Sequence, residues 1–252
     1  MTDPRRIAFI GDWHANGTWA VKAIAYAKDH NADIIVHVGD FAYQFEIEFL
    51  AAVDSALHRA GLDLWFIEGN HDNPGKLRKR PGPDGLRYIT EHIRHIPRGH
   101  RWRWGGLAFL GCGGAHSVDR PWRTPGVSWW PEEAITDEDV KRCAPAGGWG
   151  GLADFLIAHD CPTGVTIPGI DDRTGPPPFP PLELQLADEH RRQLRRIVDA
   201  VKPQIIVHGH YHVAYQQFVD AGAIDVVGLD CDGSSLDRNV RFYDLDGGWV
   251  DA

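Results

Sequence analysis

The sequence predicts an α/β fold in which two mixed sheets pack together and helices cover their outer faces. Over the first 70 residues, runs of β-branched and aromatic residues alternate with segments of helical spacing, which is typical of parallel strands with right-handed crossovers. Later runs are short and bounded by turn residues, which favours antiparallel pairs. Polar clusters follow five of the apolar runs, where open α/β sheets place their ligand sites.

The first part of the chain predicts three strands and two helices in alternation. The strands are predicted over residues 7–10, 34–38 and 64–67. Helical spacing runs through residues 15–30 and 45–60, and each segment places its apolar residues on one face. Gly61 follows the second helix and suits the left-handed position that ends many helices.

The rest of the chain predicts shorter elements within one domain spanning residues 1–252. Strands are predicted over 93–97, 101–104, 107–110, 155–158 and 205–208, with a hairpin turn at Gly105-Gly106. Helices are predicted over 131–143 and 182–201. Segments 213–218, 223–228 and 240–243 favour short antiparallel strands. The Pro-rich segment 161–181 is a loop that serves as a lid or as a plain connector.

The composition excludes several classes of function. A net charge of -9, without a dominant basic face, argues against a long nucleic acid as the partner. The four cysteines lack CxxC spacing, which favours a reducing compartment. No apolar signal segment or membrane span is recognisable. We therefore expect a cytoplasmic protein that does not contact a membrane, and the oligomeric state stays open.

Seven side chains in the polar clusters are suited to binding metal ions. Carboxylate, amide and imidazole ligands together suit Zn, Fe, Mn or Ni and are poor for Ca or Mg. Spacings such as Asp12-x-His14 and His210-x-His212 can serve one ion where the chain turns on leaving a strand. The seven candidates are Asp12, His14, Asp40, Asn70, His159, His210 and His212.

Seven ligands are too many for one ion with an open position, so we divide them between two ions that share the Asp40 carboxylate. One set is Asp12, His14, Asp40 and His212, and the other is Asp40, Asn70, His159 and His210. Two dications, two carboxylates and a bridging hydroxide leave a net charge of about +1 in the cleft. That charge favours an anion with tetrahedral oxygens, and phosphate esters are the obvious class.

His71 is left over from the ligand set and is the candidate proton donor to the leaving group. The neighbouring Asp72 is a candidate carboxylate partner that would orient the His71 ring and raise its pKa.

The clusters, in this order, resemble the calcineurin-like metallophosphoesterase superfamily, whose pattern is DxH, GD, GNH[DE], a lone His and GHxH. The resemblance spans residues 12–212. It implies a four-layer α/β/β/α sandwich, the metallo-dependent phosphatase fold. It also implies a dinuclear site of Mn, Fe or Zn (possibly mixed), phosphoester hydrolysis and the same division of ligands. Asp72 resembles the phosphodiesterase-type members, and segments 113–120 and 159–162 resemble a compact bacterial or phage-type subgroup.

Substrate choice is expected to depend on the loop that follows Gly113-Gly114. Arg120 and Arg123 alternate there with tryptophans such as Trp129, a combination that can stack a nucleobase and hold a phosphate. The alternative is that the tryptophans only anchor the loop to the core. His116 either reaches the metal cleft or lies exposed, and the basic run 76–80 either guides an anion or is a solvated surface.

The sequence therefore predicts a metal-dependent phosphodiesterase acting on small or nucleotide-like substrates through a metal-bridging hydroxide. A phosphomonoesterase, including a protein phosphatase, is the first alternative. A binding scaffold on the same fold is the second, but a decayed enzyme should have lost ligands or the proton donor, and all eight positions are retained here.

Overall fold

The structure is a computed structural model that describes residues 3–77, 82–144 and 152–250. Its strands, in chain order, are β1 (Arg6–Ile10), β2 (Ile34–His37), β3 (Asp63–Phe66), β4 (Arg87–Tyr88), β5 (Ile93–His95), β6 (Arg101–Trp104), β7 (Leu107–Cys112), β8 (Phe155–Ala158), β9 (Ile205–His208), β10 (Tyr215–Val219), β11 (Ile224–Gly228), β12 (Val240–Asp244) and β13 (Gly248–Val250). Its α-helices are α1 (Gly17–Asp29), α2 (Ile47–Ala60), α3 (Pro74–Leu77), α4 (Asp137–Cys143), α5 (Pro181–Val201) and α6 (Leu236–Asn239).

Two mixed sheets form the centre of the described part of the chain. The first has the order β13-β12-β1-β2-β3-β5-β4, and the second has the order β10-β11-β9-β8-β7-β6. Strands β1, β2, β3 and β5 are parallel to one another, as are β7, β8, β9 and β11. The strands that precede the polar clusters are therefore parallel within each sheet, and their carboxyl ends meet at one edge.

Alternation along the strands builds three apolar layers between the sheets and helices. In β1, Ile7 and Phe9 face the second sheet, where the Phe9 ring lies 5.8 Å from that of Phe155. Ala8 and Ile10 face the opposite way, into the cluster that contains buried residues of α1 and α2. A third cluster joins the second sheet to α4 and α5. The result is the predicted four-layer α/β/β/α arrangement, with helices outside both sheets.

Several elements differ from their predictions in pairing or in extent. Strand β11 pairs antiparallel with β10 but parallel with β9, so the expectation of purely antiparallel pairing in this region is wrong. Strand β5 joins the first sheet beside β3, away from the β6–β7 hairpin. The helix predicted over 131–143 begins at Asp137, because Thr136 and Asp139 form a capping box there. Gly61 ends α2 with a φ of 66°, as predicted.

Within the described residues, no helix is both long enough and apolar enough to cross a membrane.

Candidate metal centre

The candidate ligands gather at the carboxyl ends of five strands. Strands β1, β2 and β3 of the first sheet lead into Asp12-x-His14, Asp40 and Asn70, and β8 and β9 of the second lead into His159 and His210-x-His212. Three groups of side chains there bring their ligand atoms within 4.8 Å of one another. The groups are Asp12, His14 and His212; His14, Asp40 and His71; and Asp40, His159 and His210. Asp40 and His14 each belong to two groups.

The Asp40 carboxylate lies at the centre of this arrangement. Its Oδ2 atom lies 3.3 Å from His159 Nε2, 3.6 Å from His14 Nε2 and 3.9 Å from His71 Nε2. Its Oδ1 atom accepts a hydrogen bond of 2.8 Å from the backbone N–H of His71. The carboxylate is thereby held by the backbone on one side and presents one oxygen to three imidazoles on the other.

Two of these imidazoles are oriented by a hydrogen bond at Nδ1, the ring nitrogen that does not face Asp40. His159 Nδ1 donates to the carbonyl oxygen of Val38 at 2.8 Å, and His14 Nδ1 donates to Asp232 Oδ1 at 2.8 Å. A hydrogen bond at Nδ1 leaves Nε2 available as the ligand atom, and in both rings Nε2 faces Asp40. This is the arrangement in which protein histidines bind metal ions.

Asn70 is oriented by a second chain of hydrogen bonds. Its Oδ1 atom lies 3.1 Å from His159 Nε2, while its Nδ2 donates to Ser117 Oγ at 3.1 Å. Ser117 Oγ in turn donates to Glu133 Oε2 at 2.7 Å. The amide is therefore held with its oxygen toward the centre, as a ligand role requires.

Where the chain turns sharply after these strands, several residues adopt left-handed backbone conformations. Candidate ligands His14, Asp40, His210 and His212 have φ values between 47° and 70°, a region that costs most residues free energy and is common at functional sites. Two glycines permit the close approach that results. A Cβ at Gly69 would lie 2.1 Å from Asp40 Oδ1, and one at Gly209 would lie 2.1 Å from Asp12 Oδ1.

The centre holds buried groups of opposite charge next to one another, a carboxylate and an imidazolium. Burial alone would raise the pKa of Asp40, but His159, His71 and His14 hold it well below the usual range. Burial alone would lower the pKa of His159, but Asp40 and Asp12 raise it to about 10. The His159 imidazole is therefore protonated in the protein alone, and a bound cation would displace that proton.

The donor set fits metal ions. Asp12 Oδ1 is fully buried and has no hydrogen-bond partner among the described residues, a costly state for a carboxylate oxygen unless a cation compensates it. Asp12 Oδ2 lies 3.3 Å from His212 Nε2 and accepts a hydrogen bond from the His210 backbone N–H. Imidazoles that share a carboxylate and an amide oxygen suit Mn, Fe or Zn.

Asp72 does not orient the His71 ring, and that prediction is wrong. Its carboxylate accepts hydrogen bonds from the backbone N–H groups of Phe41, Ala42 and Gly69 at 3.2, 2.6 and 2.8 Å. Burial, together with the nearby Asp40, raises the pKa of Asp72 to about 7. Asp72 instead ties the loop after β2 to the loop after β3, and so supports the two segments that carry Asp40 and Asn70.

Among the predicted substrate-binding residues, Arg123 contacts the centre. Its Nη2 atom donates to His71 Nε2 at 2.7 Å. Its Nε pairs with Asp119 Oδ1 at 2.6 Å, and its side chain is 8% exposed. The guanidinium therefore lies beside His71 and is paired with a carboxylate of its own loop.

The other three predicted substrate-binding residues use their polar atoms within the protein. His116 and Arg120 both pair with Glu183, at 2.8 and 2.6 Å. Trp129 donates through Nε1 to Glu133 at 3.0 Å, and the Arg120 guanidinium lies 5.7 Å from the centre of its ring. The Glu183 pairs join the loop between β7 and α4 to α5, whereas these contacts of Trp129 lie within the loop itself.

Two further predictions concern flanking segments. Of the basic run 76–80, residues 78–80 lie outside the described residues. The segment 161–181 connects β8 to α5, and Phe179 within it places its ring 6.1 Å from that of Trp122. The Pro-rich segment therefore meets the loop that carries Arg123.

Sequence reasoning did not identify Tyr43, Ser117 and Glu133 as parts of the site. Asp232, in the turn after β11, supplies a further supporting carboxylate. Asp232 Oδ2 accepts from Asn16 Nδ2 at 2.8 Å while its Oδ1 holds His14. In the sequence, the Gly233 that follows Asp232 indicates a sharp turn. The pairing of Asp232 with His14 depends instead on packing between distant segments.

The family profile of calcineurin-like phosphoesterases matches residues 5–214 of this sequence. The chain belongs to this family. Its members are metal-dependent hydrolases of phosphoesters, and the candidate ligands described above lie within the matched region. No curated protein sequence matches the chain significantly.

Two solved structures resemble this chain over almost its whole length. The protein TT1561 of Thermus thermophilus is similar with a TM-score of 0.56 at 16% identity, covering 96% of this chain and 95% of that one. A dimetal phosphatase from Danio rerio is similar with a TM-score of 0.60 at 12% identity, covering 96% of this chain and 93% of that one. At these identities the likeness is one of fold.

Proposed function

We propose that this protein is a dinuclear metal-dependent phosphodiesterase acting on small or nucleotide-like substrates. The observation that carries the proposal is that Asp40 Oδ2 lies 3.6 Å from His14 Nε2 and 3.3 Å from His159 Nε2, one imidazole from each proposed ligand set. One carboxylate oxygen shared in this way suits a bridge between two cations. The match of residues 5–214 to the calcineurin-like phosphoesterase family also supports the proposal.

Each ion would have its own set of ligands around the shared Asp40. Asp12, His14 and His212 would hold one ion, and Asn70, His159 and His210 would hold the other, in keeping with two of the three groups described above. Two such ions, when bound, supply Lewis acidity and lower the pKa of water enough to provide a nucleophile near neutral pH. The abundance of imidazole favours Mn, Fe or Zn, including a mixed pair.

Charge favours a diester over a monoester. Two dications, two carboxylates and a hydroxide leave a net charge of about +1, which matches the single negative charge of a phosphodiester. Arg123 is a cationic side chain that contacts the centre, and Asp119 neutralises part of its charge. A monoester dianion would call for further cationic groups.

The residues outside the ligand set would act on the leaving group. His71 and Arg123 are hydrogen-bonded partners at the edge of the centre. In the proposed reaction Arg123 stabilises the charge of the phosphoryl oxygens, and His71 delivers a proton to the departing alkoxide. Because Asp72 holds the loops rather than the ring, the orientation of His71 depends on Arg123.

The test compares bis(p-nitrophenyl) phosphate with p-nitrophenyl phosphate in protein loaded with Mn, Fe or Zn. We expect about two metal ions per chain and a higher kcat/KM for the diester. A strong preference for the monoester would make the protein a phosphatase. Stoichiometric metal without turnover of either ester would favour a binding scaffold.

Two variants control for a contaminating hydrolase. Asp12→Asn should abolish turnover, because it removes a carboxylate from the candidate ligand set. Asp246→Asn changes the same group in an exposed turn and should leave turnover unchanged. Loss of activity in neither variant would assign the turnover to another protein.

The thiols favour a reducing compartment, such as the cytoplasm, as the setting. All four cysteines are free, and three of them are buried.

A further inference from the structure

An exposed aromatic ring borders the candidate metal centre. Tyr43 is 38% exposed, and its ring lies 5.2 Å from that of His71 and 6.2 Å from that of His14. It follows the left-handed turn at Asp40 on the loop after β2. A large, exposed aromatic ring beside a buried charged centre has an apolar face available to a ligand.

Arg123 approaches His71 from a different loop. Its three nitrogens contact Asp119, His71 and the carbonyl oxygen of Ser128, at 2.6, 2.7 and 3.4 Å. The Nη2 contact involves the His71 ring that Tyr43 also borders. Tyr43 and Arg123 therefore lie around the same imidazole, at the side of the centre where the proposed leaving group departs.

The two loops that carry Tyr43 and Arg123 are joined by hydrogen bonds. Gln44 Nε2 donates to the carbonyl oxygen of Val127 at 2.6 Å. Asn73 Nδ2 donates to Gln44 Oε1 at 2.7 Å, and the Asn73 backbone N–H donates to the carbonyl oxygen of Tyr43. These bonds hold both loops in place before a substrate binds, which lowers the entropic cost of binding.

Trp129, which the sequence favoured as the stacking residue, makes its contacts within the protein. The Arg120 guanidinium lies over the ring of Trp129, and Glu133 accepts the hydrogen bond of its indole N–H. Trp130 is only 7% exposed. Tyr43 is the aromatic residue that combines exposure with a ring contact to the candidate centre within the described residues.

We propose that Tyr43 and Arg123 form a subsite for a phosphoester whose leaving group carries a planar aromatic ring, such as a nucleobase or an aryl group. Arg123 binds a phosphoryl oxygen through its guanidinium, and the aromatic ring stacks on Tyr43. The inference rests on the proposed function, because it assigns substrate specificity to that same centre. It commits the enzyme to aromatic over aliphatic phosphoesters.

The first test measures binding rather than turnover. Phenylphosphonate and methylphosphonate carry the same charged group on a carbon–phosphorus bond, which a phosphoesterase does not hydrolyse, and they differ in the aromatic ring. In calorimetry with Mn-loaded protein we expect phenylphosphonate to bind about tenfold more tightly, as stacking on an aromatic side chain predicts. Tyr43→Ala should reduce this preference to about twofold, and Tyr43→Phe should retain it.

The matched control for the aromatic arm is Phe218→Ala. Phe218 is 67% exposed on the edge strand β10, so its truncation removes an exposed ring without touching the subsite. The wild-type preference should persist in this variant. An unchanged preference in Tyr43→Ala, or equal binding of the two phosphonates by wild-type protein, overturns the stacking assignment.

The second test concerns Arg123. Arg123→Ala should weaken both phosphonates about equally, by about tenfold, because the charged group is common to them. Arg123→Lys should restore only part of the affinity, since an ammonium lacks the planar fork. Arg192→Ala removes an exposed guanidinium from α5 and should change neither affinity. Wild-type affinities in Arg123→Ala would refute the phosphoryl contact.

The two proposals fail differently. If Mn-loaded wild-type protein shows the expected phosphonate preferences but hydrolyses no phosphoester, the proposed function fails and the subsite stands. If hydrolysis of bis(p-nitrophenyl) phosphate is normal while the Tyr43 and Arg123 variants bind both phosphonates as wild type does, the subsite fails alone.

Discussion

Arg123 Nη2 donates a hydrogen bond to His71 Nε2 across 2.7 Å. An arginine N–H can donate only to the lone pair of an imidazole nitrogen, so this contact requires His71 to be unprotonated at Nε2. Burial lowers the pKa of His71, and Arg123 adds to that effect, against the opposing influence of Asp40. In the proposed reaction, His71 can protonate a leaving group through Nε2 only after Arg123 turns to the substrate and the freed Nε2 takes up a proton from solvent, which couples the two residues.

His71→Ala should retain both metal ions and lower kcat by about 10²- to 10⁴-fold, the usual contribution of a general acid. The loss should be greatest for diesters with poor leaving groups, because good leaving groups depart without a proton. Elemental analysis and kcat for a series of aryl esters check both points. An equal loss across the series would contradict the proton-donor role.

Asp40→Asn should release metal from both sites together. An asparagine tolerates the left-handed φ of 52° at this position, so the backbone exit from β2 should survive. The amide lacks the negative charge that suits a carboxylate oxygen to bridge two cations. Metal content near zero by elemental analysis is the expected result, and retention of one ion per chain would refute the bridging assignment.

Asp232→Ala should weaken the ion assigned to Asp12, His14 and His212 more than the other. Asp232 Oδ1 holds His14 Nδ1 at 2.8 Å and thereby directs Nε2 toward Asp40. Loss of such a supporting carboxylate typically weakens metal binding by about 10- to 100-fold. Calorimetric titration should resolve one weakened site and one unchanged site.

Asp232→Asn is the matched variant for that titration. The amide oxygen can still accept the hydrogen bond from His14 Nδ1, so its effect should be smaller than that of alanine. Equal weakening of both ions by either variant would indicate a general loss of structure instead.

Gly209→Ala should destabilise the protein by about 1–3 kcal/mol, in the range typical of overpacking. The added Cβ would lie 2.1 Å from the buried Asp12 Oδ1, so either the carboxylate or the turn after β9 must move. Thermal unfolding should show a lower Tm, together with a loss of metal. Gly222→Ala is a useful comparison, because a Cβ there meets no atom within 4 Å and the cost should come from its φ of 88° alone.

Glu133→Gln should remove a pH dependence of stability. Burial raises the pKa of Glu133 from 4.5 to about 7, although Ser117 and Trp129 donate hydrogen bonds to it. The folded protein then binds a proton that the unfolded chain releases, so the free energy of unfolding falls as pH rises from about 4.5 to about 7, by up to about 3 kcal/mol. The free energy of unfolding can be measured with urea on the metal-free protein at about pH 5 and about pH 7.5, which span most of that range. Its difference between the two pH values should be smaller in the variant than in wild type.

The fold could be predicted from the sequence because its determinants are local. Runs such as those of β1 and β2 are almost entirely apolar and therefore belong to a sheet covered on both faces. Their alternation with helical spacing sets the strands parallel. The pairing of the later strands depends on contacts between distant segments. Strand β11 has an antiparallel neighbour on one side and a parallel neighbour on the other, and the residues of β11 do not themselves encode this difference.

The sequence by itself also singled out the seven candidate ligands and His71, because each one closely follows an apolar run and parallel strands bring their ends together. Only the tertiary structure decided what the neighbouring side chains contact. Asp72 binds three backbone amides instead of its neighbour His71. Arg123 reaches His71, while Arg120, three residues earlier, pairs with Glu183. These contacts join segments far apart in the chain through irregular loops, where no periodicity relates a residue's position to its direction.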